Sequence, residues 1–161
     1  IDALRTSPRN ISITTDVIVG FPGETRDDFE ETVALIDYAG YDAAYIFRYS
    51  PRPGTPAYEM VDDVTYEEKT ERFLTLEAAQ RRSQNERLKR YMGETLDVLV
   101  EKQASRYDTQ VTGHSTCHKV VNFEGSNELI GNVVKVKISK VKPNSLFGEL
   151  CRETASASKL C

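Results

Sequence analysis

The chain has 161 residues, with 25 Asp plus Glu against 21 Lys plus Arg, 39% hydrophobic and 9% aromatic residues, which places it among ordinary globular sequences and excludes disordered and fibrous classes. No stretch approaches the roughly 20 apolar residues of a bilayer span, and Ile1-Asp2-Ala3-Leu4-Arg5 lacks the apolar core of a signal peptide, so no membrane partner is expected. Cys117, Cys151 and Cys161 are odd in number and late in the chain, which argues against a disulfide framework or a zinc site and for a reducing, cytoplasmic compartment.

The chain starts at Ile1 rather than Met, which reads as a sign of a piece of something longer. Residues 11–21, ISITTDVIVGF, are β-branched and nearly continuously apolar toward their end, the pattern of a parallel strand covered on both faces. They run into Pro22-Gly23-Glu24-Thr25. Thr25 is a good N-cap, acids crowd the next turns, and Phe29, Val33 and Ile36 recur at helical spacing up to a stop at Gly40. Ala43–Tyr49 reads as a second strand. A strand–helix–strand unit implies a parallel α/β sheet, whose ligands gather at the C-terminal ends of the strands. Two loops occupy that edge, residues 20–25 and 50–57.

Thr65 with Glu68 forms a capping box, and neither Pro nor Gly interrupts the stretch to Met92, so a long helix ending at Gly93 is expected. Phe73, Leu76 and Ala79, with Leu88 and Tyr91 further on, give it a thin apolar stripe. The charge balance shifts near residue 62, because residues 1–62 hold 5 basic and 11 acidic side chains, which makes that position a candidate boundary. From Thr95 the period becomes two: Leu96, Val98 and Val100, then Val134, Val136 and Ile138 interleaved with Lys135 and Lys137. Glycines at 113, 125, 131 and 148 punctuate these runs, which predicts a small β-barrel of about five strands. Residues 152–161 read as a loose tail.

Candidate functional residues follow from these placements. The glycines of the Gly20–Thr25 loop allow a close backbone approach to a ligand, although on spacing alone an ordinary strand-to-helix turn is preferred. Three prolines stiffen Ser50–Pro56 around Arg52, which either contacts a phosphate or carboxylate or is a solvated residue of a rigid linker. Lys119, Lys135, Lys137, Lys140 and Lys142 lie on or beside the barrel strands, where they track a nucleic-acid backbone or simply face solvent; Tyr107, Phe123 and Phe147 are the stacking candidates. His114 and His118 flank Cys117 without a known zinc spacing and read as polar loop residues. No Ser/His/Asp set is evident.

Thr15-Asp16-Val17-Ile18-Val19-Gly20-Phe21-Pro22-Gly23-Glu24-Thr25, then Phe47-Arg48-Tyr49-Ser50-Pro51-Arg52-Pro53-Gly54-Thr55-Pro56-Ala57, then a β-barrel, resemble the C-terminal part of the radical S-adenosylmethionine methylthiotransferases. Within the barrel, Gly113-His114-Ser115, Lys119-Val120-Val121-Asn122-Phe123, Ile130-Gly131 and Ser145-Leu146-Phe147-Gly148-Glu149-Leu150 are most similar to the tRNA branch, MiaB-like, which adds a methylthio group at C2 of N6-isopentenyladenosine beside the anticodon. The resemblance implies a fold in which residues 1–63 end an open TIM-like α/β radical SAM barrel, 64–92 form a connecting helix and 93–151 an OB-like TRAM barrel. It implies S-adenosylmethionine and two 4Fe-4S clusters as cofactors of the parent enzyme, with no catalytic residue and no cluster ligand in this chain, since the family's CxxxCxxC motif is absent from it.

By the same resemblance Ile18, Gly20, Phe21, Pro22, Gly23 and Glu24 flank the S-adenosylmethionine, Arg52 sits on the active-site rim, and Lys119, Lys135, Lys137 and His114 meet the RNA. The implied partners are the anticodon stem-loop of tRNA and the missing N-terminal part. His114 and His118 stand where the family usually has Arg and Asn, which weakens phosphate contact while the imidazole is neutral. Two alternatives remain: a stand-alone RNA-binding module, or a methylthiotransferase acting on threonylcarbamoyladenosine in tRNA or on a ribosomal protein. As a fragment, the chain is expected to leave one sheet edge of residues 1–62 exposed and to aggregate, with residues 93–151 as its protease-resistant core.

Overall fold

The structure, a computed structural model, describes residues 1–8, 11–104 and 109–151. Residues 152–161 and Tyr107 lie outside the described residues, so the loose tail, Cys161 and one stacking candidate are not among them. The chain divides into two compact units, with the seam between Arg87 and Leu88.

The first unit is built as strand–helix–strand. β1 (Thr14–Val19) and β2 (Ala43–Arg48) pair in parallel, with Thr14 opposite Ala43 and Val19 opposite Arg48, and α2 (Arg26–Ala39) crosses between them. A four-residue helix, α1 (Asp2–Arg5), precedes them. The expected N-cap of α2 is present: the Thr25 hydroxyl accepts from the Asp28 N–H while Asp28 accepts from the Thr25 N–H, satisfying two donors that would otherwise lack partners. Thr65 and Glu68 cap α3 (Tyr66–Lys89) in the same way. α3 ends at Lys89, four residues before Gly93, because the chain turns there and Tyr91 leaves the helical path for the interior of the second unit.

One face of the β1–β2 pair packs with α2 and α3 into a core of Ile13, Val19, Phe29, Ile36, Ala39, Tyr41, Leu76 and Ala79. Complete burial of a side chain such as Leu76 stabilises by about 1.5–3 kcal/mol. The other face is bare: Ile18, Tyr45 and Phe47 are 52%, 58% and 52% exposed. This corrects the expectation of a strand covered on both faces. The alternation along β1 is exposed–covered, and the layer that a parallel sheet places on its second face is not supplied by the described residues. At the opposite end of the strands the buried Asp42 accepts from the Ile13 N–H at 3.0 Å and lies 3.7 Å from both Arg5 and Arg87, so a carboxylate with almost no solvent contact is neutralised from two sides.

The second unit is a closed barrel of β3 (Thr95–Gln103), β4 (Gln110–Ser115), β5 (Val120–Glu124), β6 (Val133–Lys142) and β7 (Ser145–Leu150), in the order β3-β4-β5-β7-β6. Every pairing is antiparallel except β5 with β7. This is the five-stranded Greek-key arrangement of OB-like barrels. Its interior is Val98, Val100, Val111, Val121, Phe123, Val136, Ile138 and Leu146, joined by Leu88, Tyr91 and Cys117. Gly113 permits the closure between β3 and β4: a Cβ there would run into the backbone oxygen of Leu99, next to the bulge between Val100 and Lys102. Among the described residues no helix is long and apolar enough to cross a membrane.

Candidate cofactor rim and nucleic-acid interface

The two loops nominated from the sequence do meet at the C-terminal ends of β1 and β2. Tyr49 N–H donates to the Val19 carbonyl at 2.9 Å, continuing the pairing past β2, and the Phe21 and Tyr49 rings meet edge to face at 5.2 Å. Tyr49 O–H donates to the Ala57 carbonyl at 2.8 Å and so ties the second loop down.

Gly20 adopts φ +70° and is packed under the aliphatic chain of Lys69, which occupies the place any Cβ would take. Lys69 itself is buried, with Nζ 2.6 Å from both carboxylate oxygens of Asp62 and 5.2 Å from the centre of the Tyr49 ring. Glu24 Oε2 accepts from the Gly20 N–H at 2.5 Å and from Arg72 Nη1 at 2.6 Å, while the same Arg72 nitrogen donates to the Glu24 carbonyl. Gly23 N–H donates to Asp63. The Gly20, Gly23 and Glu24 N–H groups and the Glu24 carboxylate thus find their partners within the unit, and Glu24 acts as the clasp that sets the loop's shape.

The side chains of Ile18, Phe21 and Phe47 are exposed here and offer a ligand apolar contact. Those residues fit contact with a purine face, and Glu24 and Gly23 fit the holding of that surface in place. Pro22, between Phe21 and Gly23, is buried. Arg52 is exposed, its carbonyl held by the Thr55 N–H and hydroxyl; among the described residues its guanidinium has no hydrogen bond or ion pair. Sequence reading missed Lys69, Arg72, Asp62 and Asp63. The signal was faint but present: Lys69 and Arg72 stand three apart, on one face of an otherwise acidic first two turns of α3.

On the barrel, the nominated lysines separate. Lys135 pairs with Asp97 at 2.9 Å, although both side chains are about half exposed, so the pair is weak. Lys137 is exposed and stands opposite Thr95 on one side and Glu149 on the other. Lys119 is half-buried at the start of β5, its N–H donating to the Ser115 hydroxyl. His114 Nδ1 lies 2.8 Å from Glu101, and its ring stacks on His118 at 4.8 Å. Among the described residues no three His, Cys, Asp or Glu side chains gather as a metal group would require. Phe123 is fully buried and is withdrawn as a stacking candidate, because odd positions of β5 point inward with Val121. Phe147 faces outward, with Lys142 Nζ 5.5 Å from its ring centre.

Comparison with known proteins agrees with this division. Residues 89–151 match the TRAM domain family, covering the barrel from its first strand to its last. The chain is 46% identical over 144 residues, 89% of its length, to the tRNA-2-methylthio-N(6)-dimethylallyladenosine synthase of Bacillus pumilus. It is 44% identical over 149 residues, 92% of its length, to the synthases of the same name from Salmonella arizonae and Salmonella enteritidis. It spans 28–31% of the length of these relatives. The chain thus carries a TRAM-family match in its second unit and is similar to the tRNA-2-methylthio-N(6)-dimethylallyladenosine synthases through both units.

Proposed function

We propose that this chain supplies the tRNA-gripping barrel and the last strands of the catalytic α/β barrel of an enzyme that methylthiolates C2 of N6-isopentenyladenosine beside the anticodon. The observation that carries the reading is the match of 44–46% through 89–92% of the chain, so that the rim loops and the barrel are shared together and not as separate modules. The bare face of Ile18, Tyr45 and Phe47 supports it, since such a face in a parallel sheet is covered by further strands of a closed barrel and the chain spans under a third of its relatives. The place of work is the cytoplasm.

When bound, S-adenosylmethionine supplies the radical that opens the adenine C2–H bond. This chain's part is to hold it: Ile18, Phe21 and Phe47 would line one side, Glu24 and Arg72 keep their loop in shape, and Arg52 stands at the rim, where its charge would meet phosphate. The iron-sulfur clusters do not fit this chain. It has three cysteines, none in a CxxxCxxC spacing, and Cys117 faces the interior of the TRAM barrel. On this reading the cluster ligands come from sequence outside this chain, and the chain depends on it for activity.

The reading is tested by replacing the equivalent segment of the Bacillus pumilus relative with this chain and expressing the chimera in a strain lacking the native synthase. Mass spectrometry of digested tRNA should show the methylthiolated nucleoside restored. A soluble, folded chimera that leaves N6-isopentenyladenosine unmodified would overturn it, and modification of threonylcarbamoyladenosine instead would reassign the substrate.

A further inference from the structure

On the outside of the barrel five side chains fall in one row. Lys102 of β3 stands opposite Thr112 of β4, Thr112 opposite Asn122 of β5, Asn122 opposite Phe147 of β7, and Phe147 opposite Lys140 of β6. The flanking residues of β4, β5 and β7 (Val111, Gly113, Val121, Phe123, Leu146 and Gly148) are all buried, so Thr112, Asn122 and Phe147 form the outward ridge between them.

The row contains no acid. Among the described residues Lys102, Lys140 and the Asn122 carboxamide have no hydrogen bond or ion pair, unlike Lys135, which Asp97 holds. Lys142 adds a further ammonium 5.5 Å from the Phe147 ring centre. A ring, an unengaged amide and free cations side by side are complementary to the three parts of a nucleotide. The aromatic face accepts a stacked base, the amide offers one acceptor and two donors to a base edge, and the lysines neutralise phosphate. A paired base has its faces stacked and its edge taken, so an unpaired one is required. A protein partner would call for a wider apolar patch, and Phe147 is the one apolar side chain of the row.

We propose that this row seats one unpaired ribonucleotide, with its base on Phe147, its edge at Asn122 and its flanking phosphates at Lys140 and Lys142. The proposal rests on the RNA-binding reading of the barrel and says which part of the RNA the barrel holds.

The chain contains no tryptophan, so Phe147→Trp introduces a single fluorophore into the row. The probe is an anticodon stem-loop RNA, with binding followed by the anisotropy of a label at its end. Phe147→Trp should bind like the parent and its emission should be quenched by the RNA, whereas Val133→Trp, at a 65% exposed position outside the row, should not be. Phe147→Leu, which keeps an apolar side chain and loses the ring, should weaken binding by roughly 5- to 150-fold. Lys140→Gln with Lys142→Gln should lower the salt slope of log affinity by about 1.4. Thermal melting checks that each variant is folded. Unquenched Phe147→Trp emission with unchanged Phe147→Leu affinity, or equal quenching by a fully paired RNA, would overturn the seat and leave RNA binding intact. A parent chain that does not bind the stem-loop would remove the RNA-binding reading itself.

Discussion

Arg72→Met is the change that most directly tests how the rim loop is held. Arg72 and Glu24 have side chains only 12% and 11% exposed, joined at 2.6 Å, and the same guanidinium nitrogen bonds the Glu24 carbonyl at 2.9 Å. Methionine keeps most of the aliphatic packing over Phe29, whose ring centre lies 5.7 Å from the guanidinium, and removes the charge. A fully buried carboxylate left without its partner costs about 3–5 kcal/mol. Slight exposure and the surviving Gly20 N–H bond reduce this, so about 2–3 kcal/mol is expected for the first unit. Glu24→Gln keeps one oxygen that can accept from both donors but leaves the Arg72 charge without its counterion, and should cost about 1–2 kcal/mol; the double variant should cost less than the sum, because neither change leaves a charge once both are made. Urea unfolding gives the totals, and amide exchange localises them, with the Gly20 amide exchanging faster. A cost of Arg72→Met below about 0.5 kcal/mol with an unchanged Gly20 amide would place the pair with ordinary surface pairs and refute the clasp.

Gly113→Ala should abolish cooperative melting of the barrel, since the new methyl meets the Leu99 carbonyl and lies 3.0 Å from Val100 Cα, atoms that no rotamer change can move; an unchanged melting temperature would refute this. Hydrogen bonds from the Thr65 N–H and hydroxyl hold the Glu68 carboxyl below its ordinary 4.5. The Thr25 hydroxyl and N–H hold Asp28 below its ordinary 3.8. Stability from these lowered groups is complete above the ordinary values and is lost as pH falls through the lowered ones, so urea midpoints of the first unit should drop below about pH 4. Thr65→Ala should cost about 1 kcal/mol at neutral pH and flatten that acid dependence, which the same titration reads. Lys135→Gln should change barrel stability by less than about 0.5 kcal/mol, because its bond to Asp97 is solvated; thermal melting checks this.

Local signals carried most of the fold. The N-cap at Thr25, the capping box of Thr65 and Glu68, the αL stop of α2 at Gly40 and the inward parity of Val98, Val100, Val136 and Ile138 are properties of a few neighbouring residues, and the structure has them as the sequence implies. What depends on distant chain was not legible. The composition of β1 is that of a strand covered twice, but the bareness of Ile18 depends on what lies across the sheet. The clasp on Glu24 comes from Arg72, 48 residues away; the basic spacing of Lys69 and Arg72 marks a helix face but not the partner that face meets. Phe123 and Phe147 look alike by composition, yet strand parity was enough to separate them: Phe123 keeps step with buried Val121, while Phe147 is out of step with buried Leu146.

Leu88 and Tyr91 precede the first strand of the barrel, yet both are interior to it. Tyr91 is wholly enclosed: burial first, and then its bond with the Cys117 thiol, push the phenol above its ordinary value, while Arg90 Nη2 donates to its oxygen at 2.8 Å. The barrel is therefore a vessel whose stopper is made from the end of the preceding helix. A graft that exchanges barrels between relatives at Gly93, where helix and strand visibly part, would transplant the wall and leave the stopper behind. The natural unit of exchange begins inside the helix, at Leu88.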